Sequence, residues 1–251
     1  MKQIIAVIPA RMASTRLPGK PLADILGLPM IEHVRRRVAL SSLVNEVVVA
    51  TCDQEIFDVV VANGGQAIMT ADTHERCTDR VAEAMLKLAG DIVINVQGDE
   101  PLVQPSMLES LLPPLLEDES LSCTNLMAPI LNEEEFLSPN VVKTVCDARG
   151  NALYFSREPI PSRSKAGNLV FKKFKQLGII AFRRDFLDLF THLPPTPLEQ
   201  VESVDMLRAL EHGYQVRMVE TSFQVVGVDT QEDLVRATAL MKTDPLVPRY
   251  Q

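Results

Sequence analysis

Four short apolar runs alternate with segments of helical spacing across the first hundred residues, and this alternation restricts the chain more than any other feature. The runs are Ile4–Pro9, Glu46–Thr51, Gln66–Thr70 and Asp91–Gln97. Between them, Met30–Leu40, Gln54–Ala62 and Asp79–Leu88 carry apolar residues at helical intervals, and Gly64-Gly65 stops the second of these. A strand that is apolar at position after position has no side to offer water. It belongs in a parallel sheet with helices on both faces. The predicted fold is therefore α/β, a doubly wound, mostly parallel sheet, with a nucleotide-binding half over about residues 1–120. In such sheets ligands settle beyond the carboxyl ends of the strands. The residues that follow each run are the ones to inspect.

The second half, about residues 121–251, reads differently. Val141–Cys146 and Ala152–Ser156 flank Arg149-Gly150-Asn151, the pattern of two strands joined by a turn. Pro159–Asn168 is polar and rich in Pro, Ser and Gly, hence a loop, and Lys175–Phe182 is a strand. Leu198–His212 is expected to be one helix, with Gly213 as its stop, followed by a strand at Gln215–Val219 and a closing helix at Gln231–Met241. This half is a small extra β/α region. No repeat, low-complexity tract or clean linker divides the chain, so residues 1–251 are read as a single domain.

Composition narrows what the chain can bind. With 251 residues, 46% of them hydrophobic, a sizeable core is available. Tryptophan is absent and aromatics are 5%, so that core must rest on Leu, Ile, Val and Ala. A net charge of −8 argues against nucleic-acid or anionic-membrane binding, so a site for an anion needs cations gathered locally. Cys52, Cys77, Cys123 and Cys146 form no Cys-x-x-Cys pair, and His33, His74, His192 and His212 are scattered. Neither a zinc site nor a disulfide framework is expected. The apolar run after Met1-Lys2-Gln3 is too short for a signal peptide or a spanning helix, which predicts a cytosolic protein.

Local cations gather directly after the first run. Pro9-Ala10-Arg11-Met12-Ala13-Ser14-Thr15-Arg16-Leu17-Pro18-Gly19-Lys20 brings together Arg11, Arg16, Lys20, two small hydroxyls and a glycine. A polyphosphate needs fixed donors and positive charge. Arg grips its oxygens in pairs, and Lys acts as a point charge. The loop is neither a Walker A loop nor a dinucleotide fingerprint. Basic loops commonly just face water, but the position after the first strand of an acidic protein favours a phosphate site. Asp99 follows the fourth run in Gln97-Gly98-Asp99-Glu100, and Asp229 follows an apolar segment in Gly227-Val228-Asp229-Thr230. Each has a plainer reading, a turn for Gly98-Asp99 and a helix N-cap for Asp229 or Thr230. Two acidic strand ends beside a phosphate loop also make a coherent Mg²⁺ site for phosphoryl or nucleotidyl transfer.

At this point the residues match a known family. Ile8–Leu22, Val49-Ala50-Thr51, Thr78–Glu83, Ile94–Pro101, Val142-Lys143, Ala152–Arg157 and Gly227–Thr230 occur in the order found in the 3-deoxy-manno-octulosonate (Kdo) cytidylyltransferases, and the chain resembles them from end to end. The resemblance implies a nucleotide-diphospho-sugar transferase-like fold and transfer of CMP from CTP to the anomeric hydroxyl of a 3-deoxy-ulosonic acid such as Kdo, with loss of pyrophosphate. It implies that Arg11 and Lys20 bind the CTP phosphates, that Ala10, Ser14, Thr78 and Arg80 hold the nucleotide, and that Asp99 and Asp229 bind Mg²⁺. Arg11, Lys20, Asp99 and Asp229 become the candidate catalytic residues, and Gln97, Arg157, Gln176 and Glu202 the sugar-side candidates. A homodimer contacting through the second half is also implied, with no nucleic-acid or membrane partner.

The departures from the family pattern cluster. Where the nucleotide loop usually carries Ser-Gly, this chain has Arg76-Cys77. On the sugar side the family's His, Tyr and Gln are replaced by Gln176, Ile180 and Met206. Losing a donor that met a substrate hydroxyl costs about 1–3 kcal/mol for the group left unpaired. Such losses point to another ulosonic or smaller acid, or else to drift in a true Kdo enzyme. A metal-dependent glycosyltransferase would lack the Arg-Leu-Pro-Gly-Lys loop. A nucleotide-binding paralogue without activity is opposed by the retained Arg11, Lys20, Asp99 and Asp229, while Arg76-Cys77 leaves it open. Cys77 has no base beside it in the sequence, His74 orients a loop or faces water, and Lys172, Lys173 and Lys175 are expected on a solvated strand edge.

Overall fold

The computed structural model describes residues 2–14, 16–162, 165–166 and 169–251. It contains two units, Met1–Glu109 with Val225–Gln251, and Ser110–Gln224. The architecture is mixed α/β with a mostly parallel sheet. Thr15 of the cationic loop, and residues 163, 164, 167 and 168 of the loop expected at Pro159–Asn168, lie outside the described residues.

The first unit opens with β1 (Ile4–Ala10), a short hairpin of β2 (Asp24–Ile25) and β3 (Leu28–Pro29), then α1 (Met30–Val38), β4 (Glu46–Thr51), α2 (Gln54–Ala62), β5 (Gln66–Met69), α3 (Cys77–Met85) and β6 (Ile92–Asn95). All seven residues of β1 are buried. Side chains alternate across a strand, so both of its faces are covered. β1 lies between β4 and β6 and runs parallel to both; Ile5 stands opposite Glu46 on one side and Val93 on the other. β5 adds in parallel beyond β4. This is the wholly parallel arrangement that the unbroken apolar runs predict. The carboxyl ends of β1, β4 and β6 consequently share one edge.

Helix α4 (Pro105–Glu117) carries the chain into the second unit despite Pro113 and Pro114 in its interior. Its exit is closed by Arg183, whose guanidinium donates to the carbonyls of Leu115, Asp118 and Leu121, the role cations take at helix C-termini. Then come β7 (Cys123–Pro129), α5 (Glu133–Leu137), β8 (Lys143–Cys146), β9 (Ala152–Ser156), β10 (Phe174–Arg183), α6 (Arg184–His192), α7 (Pro197–Glu202), α8 (Met206–Glu211) and β11 (Val216–Glu220). β8 and β9 form the expected hairpin, turning at Gly150 with φ +83°. β10 runs antiparallel to β7 and β8, and β11 parallel to β7.

Two expectations are corrected here. The single helix at Leu198–His212 is two helices, broken at Ser203 with φ 53°. In one continuous helix the carbonyls of Glu202 and Ser203 would accept from residues 206 and 207. They accept instead from the Arg157 guanidinium, at 2.6 and 3.3 Å. Of the three lysines expected on a solvated edge, Lys172 is solvated, its side chain 70% exposed, whereas Lys173 and Lys175 are largely covered. Lys172 pairs with Glu220, Lys173 with Glu133 and Lys175 with Glu135, and the Lys175 side chain is only 12% exposed. At Lys175 the strand has partners on both sides, Ala128 and Lys143.

Residues Val225–Gln251 return to the first unit. α9 (Gln231–Met241) and the segment before it place Val226, Val228, Ala237 and Met241 against Ile25, Met30 and Leu102. Full burial of each valine, isoleucine, leucine or methionine among them is worth about 1.5–3 kcal/mol. Polar contacts fasten the segment as well. Arg37 and Asp244 form a buried ion pair at 2.9 Å. His33 is fully buried, with Nε2 against the Ile25 carbonyl and Nδ1 2.9 Å from Tyr250 Oη. A carbonyl only accepts, so Nε2 carries the proton and Nδ1 accepts from the tyrosine. Burial holds this imidazole below its usual 6.5, which keeps it neutral.

Candidate active site

Two glycines let the backbone form the site. Gly19 has φ +70° and leads into a 3₁₀ turn, Lys20–Leu22, that delivers Lys20. At Gly98 an added Cβ would stand 2.9 Å from the Pro9 carbonyl and 3.3 Å from Ile31 Cδ1. Only glycine lets the Gln97-Gly98-Asp99 turn pass that close to the end of β1. The second acidic position is tied to the first through the main chain, because Val228 N–H donates to the Asp99 carbonyl at 2.9 Å.

The carboxylates converge on one ammonium. Lys20 Nζ lies 2.7 Å from Asp99 Oδ2 and 3.1 Å from Asp229 Oδ1. Arg16 Nη2 reaches the same Asp229 oxygen at 3.0 Å. Burial by itself would lower the Lys20 pKa. The Asp99 charge and hydrogen bond, with Asp229 behind them, outweigh that and hold it above 10.5. Thr230 takes the capping role left open between it and Asp229. Its hydroxyl accepts from Asp233 N–H while the Asp233 carboxylate accepts from Thr230 N–H, a reciprocal capping box on α9. The Asp229 carboxylate is thereby free to face Lys20.

Around this cluster opens a cavity of about 370 Å³, within the size range of small-molecule sites. Ala10, Arg11, Ser14, Lys20, Gln97, Asp99 and Asp229 all line it, together with Arg16 and Cys77. Seven of the sequence-predicted site residues therefore meet in one place. Arg80 instead lines an adjoining cleft of about 50 Å³ that Ala10, Arg11, His74, Arg76 and Cys77 share. Its buried guanidinium donates to Thr70 Oγ1 and the Ala71 carbonyl, so it also secures the β5–α3 connection. Thr78 is buried in α3 and is not a lining residue of either cavity.

Cys77 is the first residue of α3 and lies in ordinary helical backbone, so replacement of the family's glycine demands no unusual shape there. His74 orients its loop, since its Nε2 pairs with the Glu83 carboxylate, which also accepts from Ala71 N–H. Asp53 supports the site from outside its lining and was not singled out from the sequence. It accepts from Met12 N–H at 2.8 Å and so holds the cationic loop from the end of β4. Its signal is an aspartate just after an apolar strand, the same signal that marked Asp99.

Arg157, Gln176 and Glu202 belong to the second unit. The Glu202 carboxylate accepts from Arg157 N–H at 2.7 Å, Ser156 Oγ at 2.9 Å and Tyr154 Oη at 3.3 Å. The Arg157 guanidinium donates to the carbonyls of Pro139, Glu202 and Ser203, so it organises this end of β9. Gln176 Nε2 donates to Asn125 Oδ1, while the Asn125 amide donates to carbonyls of Leu126, Leu177 and Ile179. Of the replaced sugar-side positions, Ile180 and Met206 are 6% and 1% exposed, packed as core.

Comparison with known proteins places these features in a family. The family model described as cytidylyltransferase matches residues 5–234. The 3-deoxy-manno-octulosonate cytidylyltransferase of Pelobacter propionicus is 50% identical over 243 residues, covering 93% of this chain and 95% of its own length. That of Geobacter metallireducens is 48% identical over 241 residues, covering 92% and 95%. A solved CMP:2-keto-3-deoxy-manno-octonic acid synthetase complexed with CTP superposes with a TM-score of 0.90 at 44% identity, covering 96% of this chain and 98% of that one. Among the described residues no helix is long and apolar enough to cross a membrane. The chain is a nucleotidyltransferase and belongs to the cytidylyltransferase family.

Proposed function

We propose that this protein transfers CMP from CTP to the anomeric hydroxyl of Kdo. The observation that carries the reading is the convergence of Lys20, Asp99 and Asp229 at a cavity that Arg11 and Arg16 also line. The hydroxyl oxygen bonds to the α-phosphorus and gives up its proton to solvent, the bond from that phosphorus to the bridging oxygen breaks, and pyrophosphate leaves. Arg11 and Lys20 bind the triphosphate and offset the charge that builds on the leaving group. Ala10 and Ser14, on the cavity wall, hold the nucleotide, with Arg80 at the adjoining cleft, and Gln97 faces the sugar acid. The protein's part is positioning and charge neutralisation.

Asp99 and Asp229 suit Mg²⁺. Among the described residues no three His, Cys, Asp or Glu side chains form a ready-made cage. Two carboxylates aimed at one point are what this ion takes when phosphate oxygens and water complete its shell. When bound, it supplies charge stabilisation on the phosphate oxygens. We further propose a homodimer acting in the cytoplasm. Exposed Leu131, Leu169 and Val170 in the second unit support the first point, and four free cysteines the second. Pyrophosphate release from CTP, Mg²⁺ and Kdo tests the reaction, with sedimentation for the dimer. Release with another ulosonic acid but not with Kdo would favour a re-cut sugar pocket at Gln176, Ile180 and Met206.

A further inference from the structure

We infer that Lys20 is a built-in placeholder for the divalent cation: its ammonium occupies the point between Asp99 and Asp229 in the ligand-free protein and gives it up when a nucleotide polyphosphate draws the lysine away. This rests on the metal assignment above and adds an order of events to it. The Lys20 ammonium contacts one oxygen of each carboxylate, at 2.7 and 3.1 Å, so both oxygens aim at a single point. A Mg²⁺ ion bound to the same oxygens would sit about 2.0–2.1 Å from each. Ion and ammonium would then be near neighbours of like charge, with only the two carboxylates to separate them.

The charge balance points the same way. Arg16 pairs with Asp229 as well, so two carboxylates are already met by two cations. A bare divalent ion finds no net negative charge to enter. A triphosphate changes that balance, because Lys20 and Arg16 both line the cavity and phosphate oxygens offer them new partners. Each partner favours the arrangement that the other needs, so metal and nucleotide reinforce each other's binding. The Lys20 side chain is 13% exposed, against 32% for Asp99 and 45% for Asp229. The lysine side chain is therefore the most sheltered of the three. The protein does not need to bind idle metal between turnovers.

Mn²⁺ reports its own binding through electron spin resonance. It would be titrated into nucleotide-free wild type, Lys20→Met, Lys20→Gln and Asp99→Asn. Binding is expected to be weak in the wild type, about tenfold or more tighter in both Lys20 variants, and lost in Asp99→Asn, a range typical of coupled sites. Equal or weaker binding in the Lys20 variants, with loss in Asp99→Asn, would overturn the placeholder and leave the metal assignment standing. Unchanged binding in Asp99→Asn would overturn the metal assignment and the placeholder with it. Thermal unfolding gives a second readout. Removing Lys20 leaves the carboxylates to repel, so the variants should gain more in Tm from Mn²⁺ than the wild type does; an equal or smaller gain counts against the proposal.

Discussion

In the first unit Lys20 meets Asp99 and Asp229, carboxylates whose side chains are 32% and 45% exposed; in the second, Arg208 meets Glu199, and these side chains are 8% and 1% exposed. Both clusters pair charges at short range. The Arg208 fork donates to both Glu199 carboxylate oxygens, and Thr196 N–H donates to one of them. That pair joins α7 to α8 and is almost wholly shielded from solvent. The Lys20 cluster borders about 370 Å³ of open space and shares it with two further arginines. Charges that hold a fold are sealed, whereas charges that meet a ligand keep one side toward water.

The contrast breaks most sharply at Arg208. Arg208→Met leaves Glu199 buried without its partner and should cost about 3–5 kcal/mol in urea unfolding. Adding Glu199→Leu should recover much of it, because the pair is costly to split and cheap to replace. If the single change proves mild, the sealed pair does not hold the fold. At Asp99 the pattern should invert. Asp99→Asn should lower kcat/KM for pyrophosphate release by about 10²–10³-fold, with an unfolding midpoint close to wild type. A large loss of stability there would erase the distinction between the clusters.

Asp53 lies between the two cases. It lines neither cavity and acts through the backbone of Met12. Asp53→Ala should weaken CTP binding by about tenfold, or about 1.4 kcal/mol, in calorimetry. The smallest effect concerns Glu83. Burial pushes this carboxyl up, but Ala71 N–H and His74 outweigh it and hold it below 4.5. Its stabilisation is therefore present above pH 4.5 and lost as pH falls through the depressed folded value. Glu83→Gln should flatten the acid limb of the stability profile in that window and leave the neutral region nearly unchanged.

Local signals made much of this molecule legible. Glu46–Thr51, Gln54–Ala62, Ala152–Ser156 and Gln231–Met241 have the bounds that periodicity and capping chemistry indicate. The site was legible because it is built at strand ends, where Arg11, Lys20 and Asp99 follow apolar runs. What stayed hidden depends on partners far along the chain. Arg157 breaks the helix at Ser203, 46 residues away. Asp53 reaches Met12 across 41 residues. The pairing of Arg16 with Asp229 joins opposite ends of the sequence. α4 was obscured for another reason: Pro113 and Pro114 argue locally against a helix that tertiary contacts retain.

Adjacent residues before α9 divide two duties that one aspartate often performs alone. Thr230 closes the helix through Asp233, and Asp229 extends its carboxylate to Lys20 and Arg16. In evolutionary terms the two neighbours answer to different pressures. At 230 any good cap, such as serine, asparagine or aspartate, preserves the helix end, so substitutions there can accumulate quietly. At 229 the cap is already provided, so a change falls on the cations across the cavity and on the proposed metal, and the protein can lose its chemistry at this position while keeping its shape.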